Sequence, residues 1–295
     1  MAEIHEIRKR MSAVTQTRKI TNAMYLISST RMKRAAKRVG YNRDYFSRIR
    51  ATIKDILSKS KDIEHPYLDE RGNGRAAFLI IAGDKGLCGS YNSAVLKFAE
   101  NLLKEHDVHY IETVGLMATD FFKKHGREPD AEIFLASQNP SLHLTRLIVQ
   151  NLFRLYDTNL IDEVYIVYTA FINTAVQYPS CVRLLPLTLE DFADVVPEYN
   201  YNADMLYEPS PKEVFNNLVP QYAVGLIYGA LTQSHTSEHC ARMNAMQSST
   251  KNADEMLETL TREFHTERQL AITNEMVEVT AGASSVSSQR KRKST

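Results

Sequence analysis

Two short stretches of this 295-residue chain carry residues whose types and spacing could do chemistry. The first is His235-Thr236-Ser237-Glu238-His239, an HxxEH spacing. On a helix it would set two imidazoles one turn apart with a carboxylate between them, as in an inverted zincin. Such a centre needs a third protein ligand and an open coordination position. The downstream carboxylates Glu258, Glu263, Glu267 and Glu275 would lie far along the same helix and could not fold back. Solvated polar residues on a long helix account for the match better than zinc catalysis does. The second stretch is Gly83-Asp84-Lys85-Gly86-Leu87-Cys88-Gly89-Ser90-Tyr91-Asn92, which follows an apolar run and opens a helical pattern. Phosphate loops sit at such places. Yet it is neither GxGxxG nor GxxxxGKS/T; its Lys85 precedes the middle glycine, and no acidic ribose-binding residue stands out about 20 residues on. A glycine-rich turn with a structural or docking role fits better, so no catalytic residue, cofactor or metal is expected. Cys88, Cys181 and Cys240 are odd in number, widely spaced and without a CxxC pair. They read as small buried hydrophobes in a reducing compartment, not as a disulfide framework or zinc site.

The elements that must hold these stretches show in the punctuation. All nine prolines lie between Pro66 and Pro220, and each terminal segment is nearly free of proline and glycine. Proline costs a helix interior about 3 kcal/mol and glycine about 1 kcal/mol, so the ends read as long helices around a globular middle. Stepping alternately by three and four from Ile4 passes Ile7, Met11, Val14, Met32, Ala35, Val39, Phe46, Ile49, Ile53 and Ile56, the spacing of a coiled-coil seam. Arg18, Thr21 and Ser28 interrupt it. A helix this long cannot bury its stripe within one small domain, and the partner is the C-terminal arm, with Pro211 near its start and Gly282 as a natural stop. The second arm outruns the first, which leaves an overhang with an apolar-speckled surface that something must enclose.

The middle alternates strands with helices: a strand over Ala76–Ala82, helix Tyr91–Glu105, strand Val108–Val114, helix Leu116–His125, helix Ser141–Tyr156, strand Glu163–Phe171 and a further strand within Ala175–Leu187. That alternation predicts a largely parallel, covered sheet. The expected organisation is therefore an N-terminal coiled-coil helix over 1–60, an α/β domain over 74–190, a linker over 191–211 and a C-terminal coiled-coil helix over 212–283. A disordered basic tail over 284–295 follows.

Charge follows the same division. Residues 1–61 hold 16 Lys/Arg against four carboxylates, although the whole chain is only +1, and the middle is strongly acidic. Residues 212–285 hold five Lys/Arg against nine carboxylates, and arms of opposite sign favour their own pairing. The cluster Arg31, Lys33, Arg34, Lys37 and Arg38 could meet nucleic acid, but no aromatic residues are interleaved with it, so a solvated face or an acidic protein partner fits better. No apolar run reaches the length of a membrane span, and the N-terminus lacks the basic-then-apolar order of a secretory signal.

The stretch Ile272-Thr273-Asn274-Glu275, with Glu278 three on and then Gly282-Ala283, resembles the C-terminal signature of the gamma-subunit family of F-type ATP synthases. Glu238 with Ala241-Arg242-Met243-Asn244-Ala245-Met246, Thr250-Lys251-Asn252-Ala253, Arg268-Gln269, Ile20-Thr21-Asn22-Ala23-Met24 and Asp84-Lys85-Gly86-Leu87-Cys88-Gly89 are similar to the same family, in family order. The absence of a long insertion of the chloroplast kind points to a bacterial form. The resemblance implies an antiparallel, left-handed coiled coil of the terminal helices with an inserted Rossmann-like α/β domain. It implies a rotor without an active site, coupling rotation of a membrane c-ring to conformational changes at the beta-subunit nucleotide sites. The implied partners are the alpha and beta subunits of the alpha3beta3 hexamer, the epsilon subunit, the c-ring, and the delta and a/b subunits of the same complex. The implied place is the cytoplasmic face of a bacterial plasma membrane, peripherally. By the same resemblance Glu238, Arg242, Arg268 and Gln269 would contact the beta catch loops, with Thr273 and Glu275 close by. Met24 would face acidic beta lever loops, and Tyr201, Tyr207 and Lys212 would dock epsilon and the c-ring. The competing readings are a long coiled-coil adaptor and an HxxEH zinc hydrolase.

Overall fold

The computed structural model describes residues 2–59, 64–134, 139–195 and 207–293; the side chains of 2, 41–44 and 283–293 lie outside the described residues. The described elements are α1 (Ala2–Lys59), β1 (Arg75–Ile81), α2 (Tyr91–Glu105), β2 (Asp107–Val114), α3 (Leu116–Lys124), β3 (Ala131–Ile133), α4 (Leu142–Asp157), β4 (Glu163–Phe171), β5 (Gln177–Leu185), a 3-10 turn (Leu189–Phe192) and α5 (Pro211–Lys293). The chain divides into two compact units, one of Met1–Leu26 with Ala245–Thr295 and one of Ile27–Asn244.

In the larger unit five strands form a mixed sheet in the order β3-β2-β1-β4-β5. The β1–β2, β1–β4 and β2–β3 pairs are parallel and β4–β5 is antiparallel. β1 is buried on both faces, as a central parallel strand must be, and this is why it reads as a continuous apolar run. Ala76, Phe78 and Ile80 point to a layer with Val95, Leu96, Ala99 and Leu103 of α2 and Ala118 and Phe122 of α3. Ala77, Leu79 and Ile81 point the other way, to Ile148 and Leu152 of α4, Ile49, Ile53 and Ile56 of α1, and Phe215, Val219, Ala223 and Ile227 of α5. The period of two in the strand thus feeds two helical layers. The three-residue β3, set on Glu112–Val114 of β2, had no counterpart in the sequence reading.

The smaller unit consists of two helical segments. The Arg8 guanidinium stands 5.2 Å from the Phe264 ring centroid, Arg18 pairs with Asp254 at 2.6 Å, and the Thr250 hydroxyl meets that of Thr21 at 2.8 Å. As residue numbers rise on one segment they fall on the other, so the two run antiparallel. Ile7, Met246, Ala253 and Leu260 are buried there. The polar interruptions Arg18 and Thr21 therefore face the partner segment, where each finds a matching polar group.

One expectation for α5 is corrected. Gly282 does not stop the helix, whose backbone continues to Lys293 into the tail expected to be disordered. Gly282 keeps an ordinary φ, without the left-handed turn that a glycine cap uses, and a glycine inside a helix costs only about 1 kcal/mol. Pro220 lies inside the helix, nine residues from its start. Its cost is offset by the side chains around it, since Phe215, Val219, Tyr222 and Ala223 are all buried.

Candidate functional site: the glycine turn on the C-terminal helix

The turn after β1 is held from within and from α5. Asn92, on the first turn of α2, accepts from the Gly83 amide at 2.9 Å and donates to the Lys85 carbonyl at 3.2 Å and the Cys88 sulfur at 3.3 Å. Asp84 accepts from the Leu116 amide at 3.1 Å, tying the turn to the start of α3. From α5, Arg242 donates through Nη2 to the carbonyls of Lys85 at 3.3 Å and Gly86 at 3.2 Å, and to Glu238 Oε1 at 2.6 Å. Glu238 and Arg242 stand four residues apart, one helical turn, so their buried ion pair points as a unit at the turn. Gly83 leaves little space there: a Cβ would lie 3.1 Å from Glu238 Cδ and 3.2 Å from Asn92 Oδ1, and both side chains would have to shift. Gly115, which follows β2 at φ +96°, has no room either, because a Cβ would meet the Ala82 carbonyl oxygen at 2.3 Å.

This geometry decides what the two chemical stretches can do. The turn offers the Lys85 and Gly86 carbonyls to a guanidinium, whereas a phosphate loop aims amides at an anion. In the HxxEH stretch the carboxylate is taken by Arg242. Burial first, then His235, Arg242 and Arg31, hold the His239 imidazole down to about 3, so it is neutral. Its Nδ1 accepts from Arg242 Nη1 at 3.4 Å, which puts its proton on Nε2, 3.2 Å from Nε2 of His235. The nitrogen that would ligate a metal is thus a hydrogen-bond donor. Among the described residues no group of three or more His, Cys, Asp or Glu is placed to hold a metal ion. Burial raises the Glu238 carboxyl, with Arg242 pulling it back, and burial likewise raises the Cys88 thiol.

What remains accessible is the tip of the turn. Leu87 is 66% exposed at φ +61°, a left-handed conformation that is costly for leucine, and Lys85 and Gly86 beside it are exposed.

The residues singled out from sequence fall into three environments. Glu238 and Arg242 are buried inside the larger unit. Arg268, Gln269, Thr273 and Glu275 are exposed along α5 in the smaller unit, where the Thr273 hydroxyl donates to the Gln269 carbonyl at 2.8 Å, and Met24 is half-buried on α1. Tyr207 donates its hydroxyl to Asp55 at 2.6 Å, and burial with that carboxylate raises its phenol; Lys212 is exposed at the start of α5. Tyr201 lies outside the described residues. The sequence reading missed Asn92 and Gly115, which organise the turn. An asparagine opening a helix nine residues after a glycine was the available signal for the first.

Around the exposed signature, Met276 (65%), Val277 (59%) and Val279 (66%) are solvent-facing apolar residues on α5, and Ile20, Leu26 and Ile27 are similarly exposed on α1. The three exposed apolar residues on α5 lie within four positions of one another, and a group of that kind marks an interaction surface.

Comparison with known proteins bears on what that surface meets. The profile of a family described as ATP synthase matches residues 3–286. The ATP synthase gamma chain of Caldanaerobacter subterraneus subsp. tengcongensis is 38% identical over 292 residues, covering 95% of this chain and 98% of the relative. That of Acetivibrio thermocellus is 37% identical over 292 residues, covering 96% and 99%. Among solved structures, a chain of the Euglena gracilis mitochondrial ATP synthase (OSCP/F1/c-ring) superposes with TM-score 0.69 at 14% identity, covering 98% of this chain and 96% of that one. A chain of the Tetrahymena thermophila mitochondrial ATP synthase central stalk and c-ring gives 0.60 at 22% identity, covering 78% and 98%. At these identities the structural matches speak for the fold.

Proposed function

The chain belongs to the ATP synthase gamma chain family, and from that premise we propose that it is the central-stalk rotor of an F1Fo ATP synthase, transmitting c-ring rotation to the beta nucleotide sites. It is a non-catalytic subunit. The observation that carries the reading is the stretch of α5 from Arg268 to Thr280, whose polar and apolar side chains are almost all exposed. A helix surface of that kind is stable in water only marginally and suits enclosure by a hexamer of alpha and beta subunits.

The antiparallel contacts of the smaller unit support a left-handed coiled coil of the terminal helices, and the βαβ order of β1-α2-β2 supports a Rossmann-like domain between them. Torque transfer is then a coupling free energy: an asymmetric shaft touches the beta subunits differently in each state and shifts their populations. Arg268, Gln269, Thr273 and Glu275 are placed to make those contacts directly. Met24, with the basic residues around it on α1, faces the acidic beta lever loops. Glu238 and Arg242 act differently in this proposal. They hold the 83–89 turn, so their part in the beta contact runs through the exposed tip at Lys85–Leu87. Tyr207 and Lys212, with Tyr201 outside the described residues, belong to the end that meets epsilon and the c-ring; delta and the a/b subunits complete the assembly. No helix among the described residues is long and apolar enough to cross a membrane. The chain sits peripherally, as part of F1, on the cytoplasmic face of a bacterial plasma membrane.

The test is co-expression with the alpha and beta subunits. The expected result is an alpha3beta3gamma complex with ATPase activity, while the isolated chain hydrolyses nothing. Gln269→Ala should lower turnover of the complex without changing the stability of the chain. An isolated chain that is hydrolytically active with stoichiometric zinc would sink the rotor reading in favour of the hydrolase.

A further inference from the structure

Glu112 stands in the middle of β2, between Leu79 of β1 and Ala131 of β3, on the face covered by α4. It is 2% exposed. Its carboxylate accepts from the Asn151 side-chain amide of α4 at 3.2 Å. The same amide nitrogen donates to the Tyr110 hydroxyl at 2.7 Å, and Arg154 Nη2 donates to the Asn151 oxygen at 3.1 Å. Among the described residues no cation pairs with Glu112. Arg154 of α4 is engaged with the amide oxygen. The register partners of Glu112, Leu79 of β1 and Ala131 of β3, carry no charge. His109 lies on the alternate face of β2, and His143 lies two turns along α4 from Asn151. Asp130, the remaining carboxylate nearby, accepts from the Ile111 amide at 2.8 Å.

An ionised carboxylate in that position would forfeit its hydration against one neutral amide and one phenol. Buried charges without a cation neutralise instead. We propose that Glu112 is a proton-binding site built into the α4–β2 interface, protonated while α4 is seated on the sheet, so that acidification tightens this domain and deprotonation loosens it. The cluster fits that role, since Asn151 spans the carboxyl and the phenol from the facing element, and any lifting of α4 opens Glu112 to water and frees the proton.

The direction with pH follows from where the proton is held. Burial pushes the Glu112 carboxyl from its ordinary 4.5 up to about 7, with Asn151 and Tyr110 pulling back. Between those values the seated form holds a proton that the opened form releases. Opening therefore becomes easier by about tenfold per pH unit across that window and levels off above it.

Hydrogen exchange of the full chain, corrected for intrinsic rates, reads this directly on the amides of α4 and β2. In the unmodified chain their opening constant should rise about tenfold per unit between about pH 5 and pH 7. Glu112→Gln, which keeps the shape and an acceptor, should flatten the slope. An infrared titration of the unmodified chain gives an independent readout, a protonated carboxyl band that persists above about pH 6, where ordinary carboxylates are ionised. An unchanged slope in Glu112→Gln overturns the proposal, as does the absence of that band. Should Glu112→Gln fail to fold, the infrared band of the unmodified chain decides alone.

Discussion

Within the single helix α5, two stretches invert the usual rule of burial in opposite ways. Over 232–242 the side chains of Thr232, Ser234, Thr236, Ser237, Glu238, His239 and Arg242 are polar and buried, whereas Met276, Val277 and Val279 are apolar and exposed. Each inversion has its own physical account. The buried polar stretch is satisfied inside the chain: the Ser234 hydroxyl accepts from the Thr169 amide at 3.2 Å, the Thr236 hydroxyl donates back to the Thr232 carbonyl at 2.7 Å, and Arg242 takes the turn carbonyls. The exposed apolar stretch has no such partners within the described residues and makes sense only in an assembly. Polarity in one case fixes where a loop docks, and hydrophobicity in the other is held for another chain.

The comparison can be broken most forcefully at Arg242. Arg242→Leu leaves Glu238 buried without its cation and frees the turn carbonyls, and should destabilise the chain by about 3–5 kcal/mol in denaturant titration. A loss below about 1 kcal/mol, the usual surface value, would show that the stretch is not buried as described. Asn92→Leu, on the other side of the same turn, leaves the Gly83 amide without its acceptor and should cost about 1–3 kcal/mol by the same measurement. Arg18→Ala in the smaller unit removes a half-exposed pair with Asp254, and screening limits the expected loss to about 0.2–1 kcal/mol, shrinking further in high salt. Val277→Ser should change the melting of the isolated chain least, within about 0.5 kcal/mol, because the side chain already faces water. The same variant should weaken assembly with alpha and beta subunits in a pull-down titration. If it destabilises the isolated chain and leaves assembly intact, the contrast drawn along α5 is wrong.

Much of this fold was readable residue by residue. β1, α2 and β4 announce themselves because each carries a whole period of apolar residues bounded by glycine or by polar turns, a local signal that tertiary structure did not have to override. β3 could not be read: three residues, Ala131-Glu132-Ile133, carry no periodicity, and they form a strand only because β2 offers an edge. Gly282 misled because a glycine inside a helix costs only about 1 kcal/mol, a local term too small to stop the helix by itself.

The site was legible in part, and the division is instructive. The sequence by itself determined the proline-free arms, the alternating α/β middle, and the residues that tie the chain to its family, because those depend on period, composition and order along the chain. Only the tertiary structure decided that Arg242 and Glu238 serve the Asp84–Gly89 turn, that His239 carries a proton where a metal ligand would need a lone pair, and that Glu112 meets no cation among the described residues. The contacts of Arg242 with the turn and of Glu112 with Asn151 reach across an interface to residues tens to more than a hundred positions away, whereas the His239 proton is set by burial and by neighbours on its own helix. Burial multiplies the energy of each such contact across an interface, and nothing local in the sequence specifies its partner.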